Sequence, residues 1–276
     1  MKRFLYFVPV VVLLLSCGKP YYDDLPDENG EAGMRFVLPE DAVVQKMNIQ
    51  LFDNTGAKVF EKVKTQLSGD SDFGRLSPDL DEGAYTVVAV AHSSVVSASI
   101  RSPQAVHFTA SAGEKLTDTF SYCGEIVCDG SAVTQDCQMQ RVTAMVRFIF
   151  TDDMPDDVAR IKFDYTGGSA NYNPTTLQGI TKSTQSESRT LSDSGIYEIY
   201  TFPYLSESGV LKITITPLTS DGSAIREPRI ITDVPVTRNR ITTLTGALFG
   251  GSEFGKDTNG FTFTVEDWGV EDVFEF

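Results

Sequence analysis

From residue 34 onward the apolar positions recur every second residue. In "MNIQLFD" (47–53), Met47, Ile49 and Leu51 fall on one side while Asn48 and Gln50 fall on the other, the pattern of a strand with one face in a core and one in water. The same alternation recurs in "MRFVL" (34–38), "VRFIF" (146–150), "RIKFDY" (160–165), "LKITIT" (211–216) and "FTFTVE" (261–266). Short turn segments separate these runs: "DNTG" (53–56), "DEG" (81–83), "YTGG" (165–168), "SDG" (220–222) and "DTNG" (257–260). They are rich in the residues that tolerate left-handed backbone or cap it with a side chain. No long segment carries a 3.6-residue period. Many short strands at this spacing predict an all-β chain built as sandwiches or barrels, not as βαβ units.

The series of strands is interrupted by "GEIVCDGSAVTQDC" (124–137), after which "QMQRVTAMVRFIF" opens a second series. A boundary near residue 138 gives an N-terminal β-domain over 33–137 and a C-terminal one over 138–276. The polar stretch 166–195 is poor in apolar residues and reads as a long surface excursion of the second domain.

The chain begins differently. Lys2 and Arg3 precede the apolar run "FLYFVPVVVLLL" (4–15), the charged-then-apolar layout of an export signal. At 12 residues the run is shorter than the roughly 20 a membrane-spanning helix needs. Leu14, Leu15, Ser16 and Cys17 resemble a bacterial lipobox, so cleavage is expected between Ser16 and Cys17, with diacylglycerol on the Cys17 thiol. Residues 1–16 are then a lipoprotein signal peptide. Residues 17–32 form an acidic tether carrying Asp23, Asp24, Asp27, Glu28 and Glu31, flexible by composition. This tether is similar to the acidic signals that direct lipoproteins of Bacteroidetes-type bacteria to the cell surface.

Composition adds that 41% of the residues are hydrophobic, enough for a core, and that the net charge is −15. Without Lys2 and Arg3 the charge is −17, from 21 basic against 38 acidic residues, which argues against nucleic acid or an anionic membrane surface as partner. Beyond Cys17, three cysteines remain: Cys123, Cys128 and Cys137. In an oxidising compartment one local disulfide is expected among them, with the pairing open.

Catalytic and metal signatures are missing from the sequence. The two histidines, His92 and His107, fall in or beside expected strands and read as structural. There is no G-x-S-x-G elbow, no phosphate-binding loop with Lys, no H-E-x-x-H and no dinucleotide fingerprint. "DNTG" and "DTNG" resemble fragments of calcium loops without the closing bidentate Glu, and the acidic pairs Asp152/Asp153 and Asp156/Asp157 read as solvated turns. No cofactor, metal or small-molecule substrate is expected. Tyr165, Tyr172, Tyr197, Tyr200 and Tyr204 cluster in sequence and read as packing residues, with a sugar-binding platform as the other reading.

Several stretches together resemble the fimbrillins of Bacteroidetes-type pili, in particular the lipidated FimB/Mfa2-type anchor subunits. They are the lipobox, "MRFVL" followed by "MNIQLFDNTGAKVF", "LDEGAYTVVAVAH", "QRVTAMVRF", "VPVTRNRITTLTGALF" and "FTFTVEDW", in that order over residues 14–268. The resemblance implies two tandem transthyretin-like β-sandwich domains in a non-enzymatic, outer-membrane, cell-surface lipoprotein whose partners are other fimbrial subunits. It also implies donor-strand assembly, in which a polymerising subunit loses its first strand to an arginine-specific protease and another subunit's strand fills the groove. Here the first strand is Met34, Arg35, Phe36, Val37 and Leu38, and the connection "PEDAVVQK" (39–46) contains no arginine, only Lys46. An anchor that keeps its own first strand is therefore expected, and a polymerising or tip fimbrillin is the alternative. The C-terminal candidate donor strand carries Phe261, Phe263, Val265, Trp268, Val270, Phe274 and Phe276. An edge strand packed on its own domain is the other reading of that segment, and a surface glycan-binding lipoprotein is the alternative from another class.

Overall fold

A computed structural model describes residues 33–66, 73–109, 116–129, 134–249 and 261–268. Ser16, Cys17, the tether and Val270, Phe274 and Phe276 lie outside the described residues, as does "DTNG". The described residues form strands and turns with no helix, so the fold is all-β as its alternation predicts.

Five sheets account for the strands. The first runs β4 (Arg75–Leu76), β1 (Gly33–Val37), β9 (Thr134–Gln138). The second runs β10 (Gln140–Arg141), β8 (Thr119–Cys128), β5 (Gly83–His92), β2 (Lys46–Phe52), β3 (Lys58–Thr65). The third is β13 (Gly168–Ser169), β17 (Ile196–Pro203), β11 (Ala144–Phe150), β20 (Arg240–Gly246), β21 (Phe261–Asp267). The fourth is β16 (Gln185–Thr190), β12 (Arg160–Thr166), β18 (Ser208–Leu218), β19 (Arg229–Thr237). The fifth is β15 (Gln178–Gly179), β14 (Asn171–Asn173), β7 (Ala105–Phe108), β6 (Ala98–Ser102).

The first two sheets enclose a core of Met34, Phe36, Met47, Ile49, Leu51, Val87, Ala89, Phe120 and Cys137. The third and fourth enclose another, where Phe148 and Phe163 meet with ring centroids 4.8 Å apart and Ile213, Leu244 and Phe261 complete the packing. Pairing with the N-terminal strands continues through β10, whose Arg141 lies opposite Phe120.

The fifth sheet alters two expectations. Its strands come from both sides of residue 138, with Tyr172 opposite Val106 and Asn171 opposite His107. It packs a third core, containing Phe52, Val88, Val90, Ile100, Phe108, Tyr172 and Phe202, against the face of the second sheet that the alternation assigned to water. Hence β2 is buried on both faces. Asn48 and Gln50 are 7% and 6% exposed, and their amide nitrogens are bonded internally, Asn48 donating to the Ala98 carbonyl at 3.1 Å and Gln50 to Glu61 at 2.9 Å, while Gln50 Oε1 has no partner. Paired amides can sit in a core because each buried donor regains the bond it had in water.

The polar stretch 166–195 is likewise not a surface excursion, for it supplies β13, β14, β15 and β16. Tyr172 within it is fully buried, its ring 4.7 Å from that of Phe202. Few apolar residues suffice here because backbone pairing and that one aromatic hold the segment in place.

No disulfide joins Cys123, Cys128 and Cys137; all three are free thiols. Burial raises each of them, Cys137 to about 11. The expected local disulfide is thus replaced by thiols used as small apolar packing groups.

Candidate functional site

The expected groove-filling strand, residues 34–38, falls on β1. Arg35 pairs antiparallel with Arg75 of β4 and parallel with Asp136 of β9. The Phe36 amide donates to the Gly74 carbonyl at 2.7 Å and the Met139 amide to the Val37 carbonyl at 2.9 Å. Both edges of β1 are therefore occupied. Met34 and Phe36 point into the core at 2% and 5% exposure, and Leu38 packs at its margin. On the other face Arg35 reaches Asp136 with two bonds of 2.8 and 2.6 Å, which hold the Asp136 carboxyl below its usual range.

The connection after β1 leads to Lys46, whose ammonium donates to the carbonyls of Ser94 and Val95 at 3.1 and 3.0 Å. Lys46 is also paired on both sides, to Thr65 and His92.

At the other end of the chain, β21 is the outermost strand of its sheet, antiparallel to β20 from Gly246/Phe261 to Arg240/Asp267. Phe261 is fully buried, whereas Phe263 and Val265 are 48% and 41% exposed. The described part of the candidate donor strand is thus seated on its own sheet, with β20 as its one strand partner among the described residues and two half-exposed apolar side chains, Phe263 and Val265.

The two ends meet through Arg141, a residue the sequence reading did not single out. Its guanidinium is buried, and four of its five N–H groups find partners. Nη2 donates to Asp41 in the connection after β1 at 2.6 Å and to Asp118 at 2.9 Å, Nε donates to Asp118 at 2.8 Å, and Nη1 donates to Asn239 at 3.0 Å. Its faces lie against Phe120, 4.7 Å from the ring centroid, and Trp268, 4.3 Å from the centroid. Desolvation pushes the Asp118 carboxyl up, opposed by its bonds from Arg141 and Thr143. Asn239 is held at φ 59° and accepts a bond from the Trp268 amide at 3.4 Å. The available signal was a charged residue between Met139 and Val142 in a segment that otherwise reads as core.

His92 is fully buried, its Nε2 3.3 Å from Asn48 Oδ1. Because the Asn48 amide nitrogen is committed to Ala98, Oδ1 is the acceptor and neutral His92 carries its proton on Nε2. Burial, reinforced by Lys46, lowers His92 to about 4. Tyr165, Tyr172 and Tyr197 are buried in cores, and Tyr200 packs 6.0 Å from Trp268. Asp53 caps its own turn by accepting from the Thr55 and Ala57 amides, each at 2.9 Å, so the calcium-like "DNTG" is a self-satisfied turn. Among the described residues no group of three or more His, Cys, Asp or Glu side chains could hold a metal ion.

Among the described residues the first strand, β1, is thus a central sheet member and the last, β21, lies at the end of its sheet. The chain belongs to the family of fimbrillin-A associated anchor proteins Mfa1 and Mfa2, whose family model it matches over residues 17–274. No curated protein sequence matches it. Among solved structures, a Bacteroides thetaiotaomicron protein provisionally named as polysaccharide binding is similar at TM-score 0.52 and 10% identity, with 79% of this chain and 92% of that chain covered. A Bacteroides ovatus protein provisionally named an adhesin gives 0.50 at 13% identity, over 80% and 88%. The fimbrial anchor protein Mfa2 of Porphyromonas gingivalis gives 0.43 at 13% identity, over 86% and 97%.

Proposed function

We propose that this fimbrial subunit is the anchor: a structural, non-enzymatic protein held in the outer membrane by lipid on Cys17, exposed at the cell surface, and terminating the fibre. The observation that carries the reading is the seat of β1. With both of its backbone edges paired and Met34 and Phe36 in the core, the groove is already filled and a neighbour's strand has neither unpaired N–H and C=O groups nor apolar pockets to gain. The lack of arginine in residues 39–46, and the Lys46 ammonium bound to two carbonyls, support retention of the strand after export. At the opposite end, the place of β21 at the end of its sheet among the described residues, with Phe263 and Val265 half-exposed, supports a contact with the stalk subunit. We assign Phe263, Val265, Trp268, Val270, Phe274 and Phe276 to that contact, with Phe261 in the core seating the strand on its own sheet.

The test is intact mass and N-terminal peptide mapping of protein extracted from its native outer membrane. The anchor reading expects acylated Cys17 on a chain continuous through residues 34–46. A lipid-free N-terminus near residue 36 or 47 overturns it in favour of a polymerising subunit. Deletion of residues 269–276 is expected to abolish attachment of the fimbria, and intact attachment would remove the C-terminal assignment.

A further inference from the structure

Away from both assembly strands, one end of the C-terminal sandwich holds a hollow of about 600 Å³ lined by Gly167, Lys182, Ser183, Val210, Lys212 and Asp233 among others, within the size range of small-ligand sites. Its shape depends on irregular backbone. The β18–β19 ladder steps from Leu211/Val234 to Ile213/Ile231, leaving Lys212 opposite Thr232 and Asp233 in a bulge, and Asp233 is held at φ 59°. Bulges commonly re-aim side chains at functional sites, and a non-glycine residue in left-handed backbone marks a conformation that its surroundings enforce. Gly167, at φ 111°, lets the chain leave β12 so closely that an added Cβ would sit 2.2 Å from the Val210 carbonyl oxygen.

The lining has the chemistry of an unfilled site. Ser183 Oγ is buried and has no hydrogen-bond partner, a state that costs free energy unless something supplies the bond. Among the described residues neither lysine has a carboxylate within ion-pair distance, and Asp233 has no cation. Lys182 instead rests over the Tyr204 ring, 5.7 Å from its centroid. Val210 presents a 56% exposed apolar side chain in the same wall. Two ammonium groups on a chain of net charge −15, beside a hydroxyl, a carboxylate and an apolar patch, call for a ligand that is anionic, rich in hydroxyls and apolar on one face.

We propose that this hollow binds a carboxylated sugar, a uronic-acid unit of an acidic glycan. Lys182 and Lys212 receive the carboxylate, Ser183 and Asp233 bond the ring hydroxyls, and Val210 packs against the C–H face. The site is independent of the strands used for anchoring, so its failure leaves the anchor reading untouched.

The test is calorimetric titration of the full chain in detergent with trigalacturonate, maltotriose and citrate. The expected result is a sub-millimolar Kd for trigalacturonate, weakened about tenfold or more by Lys212→Gln or Lys182→Gln and at least as much for maltotriose, about 1.4 kcal/mol per tenfold step. Both lysines are exposed, so unchanged thermal unfolding of the variants serves as the folding control. Ser183→Ala is expected to weaken the sugar without altering citrate. Three results each overturn the proposal: no trigalacturonate binding at about 5 mM, equal affinity for maltotriose or citrate, or affinity indifferent to the lysine substitutions.

Discussion

The Arg141 guanidinium lies 4.3 Å from the centre of the Trp268 ring while its Nη2 bonds Asp41 at 2.6 Å. One cation therefore touches both the residue just after β21 and the connection that follows β1. A buried arginine suits the position because its planar fork serves two carboxylates and an amide while its faces stack on rings.

Trp268 is the single tryptophan, so its fluorescence reports on this one locality, where it meets Arg141 and Tyr200. Arg141→Ala is expected to red-shift the emission and to cost about 3–5 kcal/mol in urea unfolding, because the buried Asp118 carboxylate loses its partner. Asp41→Ala, whose carboxylate is partly solvated, is expected to shift emission the same way with a smaller loss. Emission unchanged in both variants would show that the loop after β1 and the C-terminal strand are not coupled.

The two faces of β1 make opposite predictions. Phe36→Ala is expected to cost about 3–5 kcal/mol through the cavity it leaves. Val37→Ala, on the half-exposed face, is expected to cost under about 1 kcal/mol. Chemical denaturation separates them, and similar costs would mean that β1 is not held by its core face.

His92 sets an acid limit on stability. Its folded value of about 4 lies below the ordinary 6.5, so between these pH values the unfolded chain binds the proton and the folded chain does not. The stability contribution is complete above pH 6.5 and is lost as pH falls towards 4. At 1.36 kcal/mol per unit the 2.5-unit gap amounts to roughly 3 kcal/mol. Urea unfolding at several pH values should show this slope, and His92→Gln should flatten it.

Gly167→Ala puts a Cβ against a carbonyl at a positive-φ position. We expect a loss of about 1–3 kcal/mol by thermal or urea unfolding, whereas Gly222→Ala, with open space around it, tests the φ penalty without the clash and should cost less.

The thiols give a labelling order. At pH 8 iodoacetamide should reach Cys123, which is half-buried, before Cys137, which is fully buried with its thiol raised to about 11. A disulfide-linked peptide in a non-reducing map would contradict the free-thiol arrangement.

Period-two alternation was enough to place β1, β11, β12, β18 and β21, because a strand with one face in a core must write that face into every second residue. The missing arginine after β1 was equally legible, since a protease reads local sequence. The alternation of Met47 to Leu51 also located β2, but not its burial. A polar residue looks the same from sequence whether water or another sheet stands over it, and the fifth sheet, whose β6 takes the Asn48 bond at Ala98, stands over this face of β2.

What the sequence determined by itself was local: strand positions, turns, the apolar N-terminal run with its following cysteine, and the acidic balance. Tertiary structure decided which distant residues share an environment. Residues 171–173 pair with a strand more than sixty positions earlier, Arg141 joins Asp41 to Trp268, and a bulge opposite Lys212 opens a polar hollow. Each depends on a partner remote in the chain, and hydrophobic periodicity carries no information about which remote partner will arrive.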